Sequence, residues 1–160
     1  MAVSFLTCSQ AMNSMHMERK IKKFYSTWSP SVFAFACVLL GEGVDAERTT
    51  AEAFQAYLSR GLDLDALQLP VLLLIYALDA ARQTASASAQ SGTHNLRNAV
   101  LLLPWKERAV FALRGTMGLD DMTISEIVEV PVQEIRKFWM NALFRLRELL
   151  PKNFLQGRKR

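Results

Sequence analysis

Residues 124–139 read ISEIVEVPVQEIRKFW. The apolar positions predict a short helix that ends at Val128, with Glu129-Val130 as a turn. Pro131 then opens a second helix, where a residue without an N–H loses no hydrogen bond. Downstream, Ile135, Trp139, Ala142, Leu146 and Leu149 recur at a spacing of 4, 3, 4 and 3. That places them on one buried face of a helix running from about Pro131 to Leu150. The opposite face carries Gln133, Glu134, Arg136, Lys137, Asn141 and Arg145. A short helix, a tight turn and a longer helix with a polar first half can enter a DNA major groove. Gln pairs with adenine, and Arg or Lys with guanine or a phosphate. The same pattern also fits a plain helical hairpin with a solvated face, and periodicity alone leaves both readings open.

The charge around this stretch is uneven. Residues 103–160 hold 11 Lys/Arg and 7 Asp/Glu, whereas residues 1–102 hold 8 of each. The whole excess of +4 therefore lies in the C-terminal part, a mild basic bias that suits a nucleic-acid partner. A chain of 160 residues that is 51% hydrophobic should fold, as one domain or two small ones.

Upstream the periodicity is helical nearly everywhere. A helix is expected over Met17–Trp28. A second starts at Ser29-Pro30, as N-cap and first helical residue, and stops at Gly41. A third covers about Asp45–Arg60. A fourth covers about Pro70–Gln83 and is apolar nearly all round, the expected buried centre of this half. The expected organisation is a disordered tail over 1–16, a helical domain over 17–83 and an Ala/Ser/Gly-rich flexible linker over 84–95 (TASASAQSGTHN). A second helical domain follows over 96–150, then a basic tail over 151–160. The fold class is all-α.

Several functions are disfavoured. The longest apolar run, LPVLLLIYAL at 69–78, falls short of the ~20 residues that cross a bilayer, and the N-terminus lacks the order of a signal peptide. Two cysteines imply no disulfide framework, which makes a reducing cytoplasm the expected location. The two histidines, His16 and His94, lie in the tail and the linker. No zinc-ligand spacing or phosphate-cradling loop occurs, and Asp63/Asp65 and Asp120/Asp121 read as helix-start or solvent residues. No enzyme, metal or cofactor is expected.

Beyond pattern, residues 103–150 resemble region 4 of a bacterial extracytoplasmic-function (ECF) sigma factor. The resemblance rests on Leu103-Pro104, Arg108-x-Val110-Phe111-x-Leu113-Arg114, Gly118-Leu119 and Ile124-x-Glu126-Ile127. It continues through Pro131-Val132, Ile135 and Ala142-Leu143-x-Arg145-Leu146-Arg147-Glu148-Leu149. LLGEGVDAERTTAEAFQAYL at 39–58 is similar to region 2 of the same family, through Leu39-Leu40-Gly41, Asp45-Ala46-Glu47, Glu52 and Phe54. The resemblance implies a protein that binds core RNA polymerase through the β′ clamp and the β flap, and that directs it to promoter DNA. It assigns −35 readout to Gln133, Glu134, Arg136, Lys137, Asn141 and Arg145, −10 contacts to Tyr76, Arg82 and Gln83, and clamp docking to Arg48, Glu52 and Gln55. An anti-sigma factor is a further implied partner.

The chain departs from the family at informative places. Arg48 stands where an acidic residue is usual, and Ala51 where glutamine is. The −10 helix, LLLIYALDAARQTASAS, lacks the family's basic residues, although a melted strand needs a cationic track and stacking platforms. Glu129 replaces the turn glycine, Glu134 a small hydroxyl residue, and Phe138-Trp139 a more polar pair. Two rival readings stand beside this one, the first of them favoured by these departures. One is a sigma-like module that binds an anti-sigma factor or another partner without melting promoters. The other is a helix-turn-helix regulator that binds duplex DNA as a dimer.

Overall fold

A computed structural model of the chain describes residues 4–85 and 96–150, with side chains described from Ser14. The described residues form seven helices and no strand: α1 (Ser4–Leu40), α2 (Val44–Ser59), α3 (Val71–Ala85), α4 (Leu96–Leu101), α5 (Trp105–Gly115), α6 (Asp121–Val128) and α7 (Val132–Leu149).

α1 is one helix where two were expected, and it passes through Pro30. An internal proline removes one ladder hydrogen bond and costs about 3 kcal/mol in an isolated helix. Burial on both sides of Pro30 offsets that loss. Phe24, Val32, Phe35 and Leu39 are all buried, and Trp28 packs partly buried between them. Their spacing makes one apolar stripe, which only an unbroken helix can present to the same neighbours. The helix also starts at Ser4, so residues 4–16 are helical rather than the expected disordered tail.

α2 lies between two glycine-bearing corners. Gly43, at φ 135, precedes it, and Gly61, at φ 62, follows it. Asp45 and Glu47 in its first turn favour the helix dipole. Its inner face carries Ala46, Thr50, Ala53, Phe54 and Tyr57. Tyr57 stacks on Phe24 at 5.1 Å and donates to the Asp63 carbonyl at 3.0 Å. α3 is the buried centre of this half as expected, and it runs to Ala85, two residues into the stretch read as linker. The rest of that linker, 86–95, and the basic tail, 151–160, lie outside the described residues.

The second half builds on α5 and α7. Val110 and Leu113 of α5 meet Ile124 and Ile127 of α6 and Ile135 of α7, all buried. Val100 and Leu103 close over Ala142 and Leu146. Phe138 packs against the core on its own helix's inner flank, so it is not a free apolar contact.

The halves do not stand apart. α1 packs against α4 and α5, and α3 packs against α6. Phe35, Leu73 and Ala77 from the first half belong to the same buried cluster as Val110, Ile124 and Ile135 from the second.

Candidate nucleic-acid and polymerase interface

The α6–α7 unit is built from its cap outward. Asp120 precedes α6, and its carboxylate accepts from the backbone N–H groups of Met122 at 2.9 Å and Thr123 at 3.0 Å. The Thr123 hydroxyl donates to its second oxygen at 2.9 Å. These hydrogen bonds, those from Thr123 foremost, hold the Asp120 carboxyl below the ordinary range. Arg114 reaches from α5 to Asp121 at 2.6 Å and lies over the Trp139 ring at 5.4 Å, tying the support helix to both neighbours.

The turn is held by Ser125, which sequence reasoning missed. Its hydroxyl donates to the Val130 carbonyl at 2.6 Å, and its own carbonyl accepts from the Val130 N–H at 3.3 Å. Glu129 sits at φ 55, ψ 48, the one non-glycine residue at positive φ among the described residues. The left-handed region strains a residue that carries a Cβ by about 1 kcal/mol or more, a strain that glycine escapes. Glu129→Gly is therefore expected to stabilise the chain by about 1 kcal/mol, read as a higher urea midpoint at unchanged slope.

α7 presents the six expected −35 residues, Gln133, Glu134, Arg136, Lys137, Asn141 and Arg145, and all are exposed. Glu134 lies in the first turn, where a carboxylate is favoured by the helix dipole. Arg145 differs from the others. Its Nε lies 3.0 Å from a carboxylate oxygen of Glu107, whose side chain is only 7% exposed. The contact is an ion pair that is not aligned as a hydrogen bond. Arg145 thus neutralises a buried acid of α5 as well as facing solvent.

On α2, Arg48, Glu52 and Gln55 are exposed and share a face by their spacing of 4 and 3. Arg48 is paired with Asp45 of its own helix at 2.9 Å. On α3 the −10 candidates separate. Arg82 and Gln83 are exposed near the helix end, whereas Tyr76 is half-buried under the Arg60 guanidinium, 5.3 Å from its ring centre. Tyr76 is thereby engaged as a cation–π partner within the fold.

The halves are joined by cations that the sequence reading left unassigned. Arg108 of α5 donates to the Leu39 carbonyl at 2.9 Å, to Leu103 at 3.0 Å and to Leu101. Leu39 is in the last turn of α1, where carbonyls lack helical partners. Burial pushes the Arg108 guanidinium below its ordinary pKa. Arg97 of α4 pairs with Glu42 at the α1–α2 corner. Beside that pair lies an apolar groove of about 560 Å³ between α1 and α4–α5, lined by Phe33, Cys37, Val100 and Phe111 among others. Burial, reinforced by Glu42, pushes the Cys37 thiol up, away from its nucleophilic form. Arg108 was legible as part of a sequence motif, but its acceptors are backbone carbonyls, which carry no side-chain signal.

No protein-family model and no curated protein matches the chain. Its fold has counterparts among solved structures. One is the sigma factor RpoE in complex with the anti-sigma factor NepR from Bartonella quintana. It matches with a TM-score of 0.65 at 17% identity, over 86% of this chain and 98% of that one. A second is CnrH in complex with the cytosolic domain of CnrY, with a TM-score of 0.65 at 14% identity, over 89% of this chain and 91% of that one. The order of helices, their all-α packing and these likenesses agree on one conclusion: the chain has the fold of the ECF sigma factors.

Proposed function

We propose that the chain works in the cytoplasm as an ECF-like sigma factor that binds core RNA polymerase and directs it to promoters. The observation that carries this reading is the exposed polar and cationic first half of α7, behind a short support helix, within a sigma-factor fold. In this reading Arg48, Glu52 and Gln55 of α2 dock on the β′ clamp, and the second half also meets the β flap. Gln133, Arg136 and Lys137 read the −35 element, with Asn141 and Arg145 supporting and Glu134 beside them. Arg82 and Gln83, with Tyr76 if Arg60 withdraws, meet the −10 element.

The docked arrangement then describes a resting form. The two promoter elements lie ~85 Å apart at ~3.4 Å per base pair. A compact chain of this length has a radius of gyration of about 15 Å. Both elements are reached only when the halves separate, and polymerase binding would supply the contacts that replace Arg108–Leu39 and Arg97–Glu42.

A second reading, a sigma-like module that captures an anti-sigma factor without melting promoters, is favoured by one observation. α3 offers few cations, its tyrosine is covered, and it packs on α6. Co-elution with core RNA polymerase on a sizing column separates the two. The initiation reading expects a stoichiometric complex. A folded sample that elutes alone at low salt would sink it and leave the adaptor.

A further inference from the structure

The first half is neutral overall, yet its cations are not spread evenly. Four of the eight Lys/Arg in residues 1–102 fall in the stretch 19–23, ERKIKK without its leading acid. The structure places this stretch on a helix and shows which of the four are engaged. Lys20 is paired with Asp65 at 2.5 Å, on the loop that leads into α3. Arg19, Lys22 and Lys23 are exposed and make no ion pair among the described residues. By helical spacing these three share one face with Ser26. Tyr25, 45% exposed and leaning on Phe54 at 4.7 Å, borders that face on one side, and Glu18 is the acid beside it. The Lys20–Asp65 pair and a groove lined by Lys23, Thr27 and Leu67 border it on the other.

A solvated helix face has no need for three adjacent unpaired cations, which repel one another at i, i+3 and i, i+4 spacing. A polyanion relieves that repulsion and releases its own counterions on binding. Among the possible polyanions a nucleic-acid strand fits best, because the face is bordered by a fixed, half-exposed aromatic ring on which a base can stack. We infer that Arg19, Lys22 and Lys23 of α1, flanked by Tyr25, form a phosphate-binding face for a nucleic-acid strand. This face supplies the first half with the cationic track that α3 lacks. The inference deepens the initiation reading and rests on it for the identity of the strand, but the binding itself is independent of polymerase.

The test uses the full chain and a labelled mixed-sequence DNA oligonucleotide, single-stranded and as duplex, followed by fluorescence anisotropy between about 50 and 200 mM salt. R19Q/K22Q/K23Q is compared with R136Q/K137Q on α7. Exposed substitutions of this kind move stability little, so both variants should melt like the parent. The expected result is that the α1 variant loses most single-strand binding. Its plot of log affinity against log salt should flatten by about two, since each single-strand phosphate contact contributes ~0.7, while the α7 variant keeps single-strand binding. Equal single-strand binding by the α1 variant and the parent overturns the inference. So does absence of single-strand binding in the parent, or a loss by the α1 variant that shows only on vesicles of phosphatidylcholine with phosphatidylserine. Co-elution with core polymerase is scored separately on the same proteins. A parent that binds single strands through α1 yet ignores polymerase would refute the initiation reading and leave the α1 face standing.

Discussion

Arg108→Ala is expected to produce the largest loss of stability of any single polar substitution in this protein, on the order of 3 kcal/mol. The physical basis is the number of acceptors left behind. The guanidinium satisfies the carbonyls of Leu39, Leu101 and Leu103 from one partly buried position. A hydrogen bond to a charged donor contributes about 1.5–3 kcal/mol, and an orphaned buried carbonyl is penalised on a similar scale. The three contributions are coupled, so their sum overstates the whole. Lysine keeps the charge but not the planar fork that reaches several acceptors at once, and Arg108→Lys should fall between parent and alanine. Because one acceptor lies on α1, one at the end of α4 and one on the α4–α5 connection, the loss should also loosen the halves. Small-angle scattering should show a radius of gyration larger than the parent's, under conditions where circular dichroism still reports full helix content. An alanine variant that melts like the parent and stays equally compact would show that Arg108 does not hold the halves together.

The second large effect concerns DNA. Exchanging Arg136 and Lys137 for glutamine should weaken binding to a promoter duplex by about a hundredfold, because each base-edge or phosphate contact of this kind contributes about 1–3 kcal/mol. Both side chains are exposed, so melting temperature should stay close to the parent's. Gel shift or anisotropy against duplexes scrambled in one element at a time reads the effect. If the double variant binds its best duplex as tightly as the parent, α7 is not the reading helix. Arg145 is left out of this pair deliberately. It compensates the buried carboxylate of Glu107, and its removal would mix a folding defect into the binding measurement.

Much of the second half was legible from periodicity. The recurrence of Ile135, Trp139, Ala142, Leu146 and Leu149 predicted the inner face of α7, and Ile135, Ala142 and Leu146 are buried. The exposure of the opposite face followed from the same period, because a helix repeats every 3.6 residues whatever it packs on. The turn was legible from chemistry, since Pro131 is compatible with a helix start and not with a helix interior. The family resemblance, which puts glycine where this chain has Glu129, pointed to the one non-glycine residue at positive φ among the described residues.

Other features were decided only by the tertiary fold. Ser29-Pro30 has every local mark of a helix start, yet α1 continues through it. Local propensity amounts to a few kcal/mol, and a stripe from Phe24 to Leu39 buried on both sides of the proline outweighs it. Composition reads 84–95 as a flexible linker between two helical domains and is silent on how they meet; the structure docks the described halves through a shared core and through Arg108 and Arg97. Nothing in a linear pattern specifies which apolar face meets which, and backbone carbonyls such as that of Leu39 are present at every position. The sequence by itself determined the helices' inner and outer faces, the polar and cationic outer face of α7 and the poverty of cations on α3, because these depend on period and residue type alone. Only the tertiary structure decided that the halves rest together, that Tyr76 lies under Arg60 and that Arg145 guards a buried acid, because each depends on residues far apart in the chain being packed side by side.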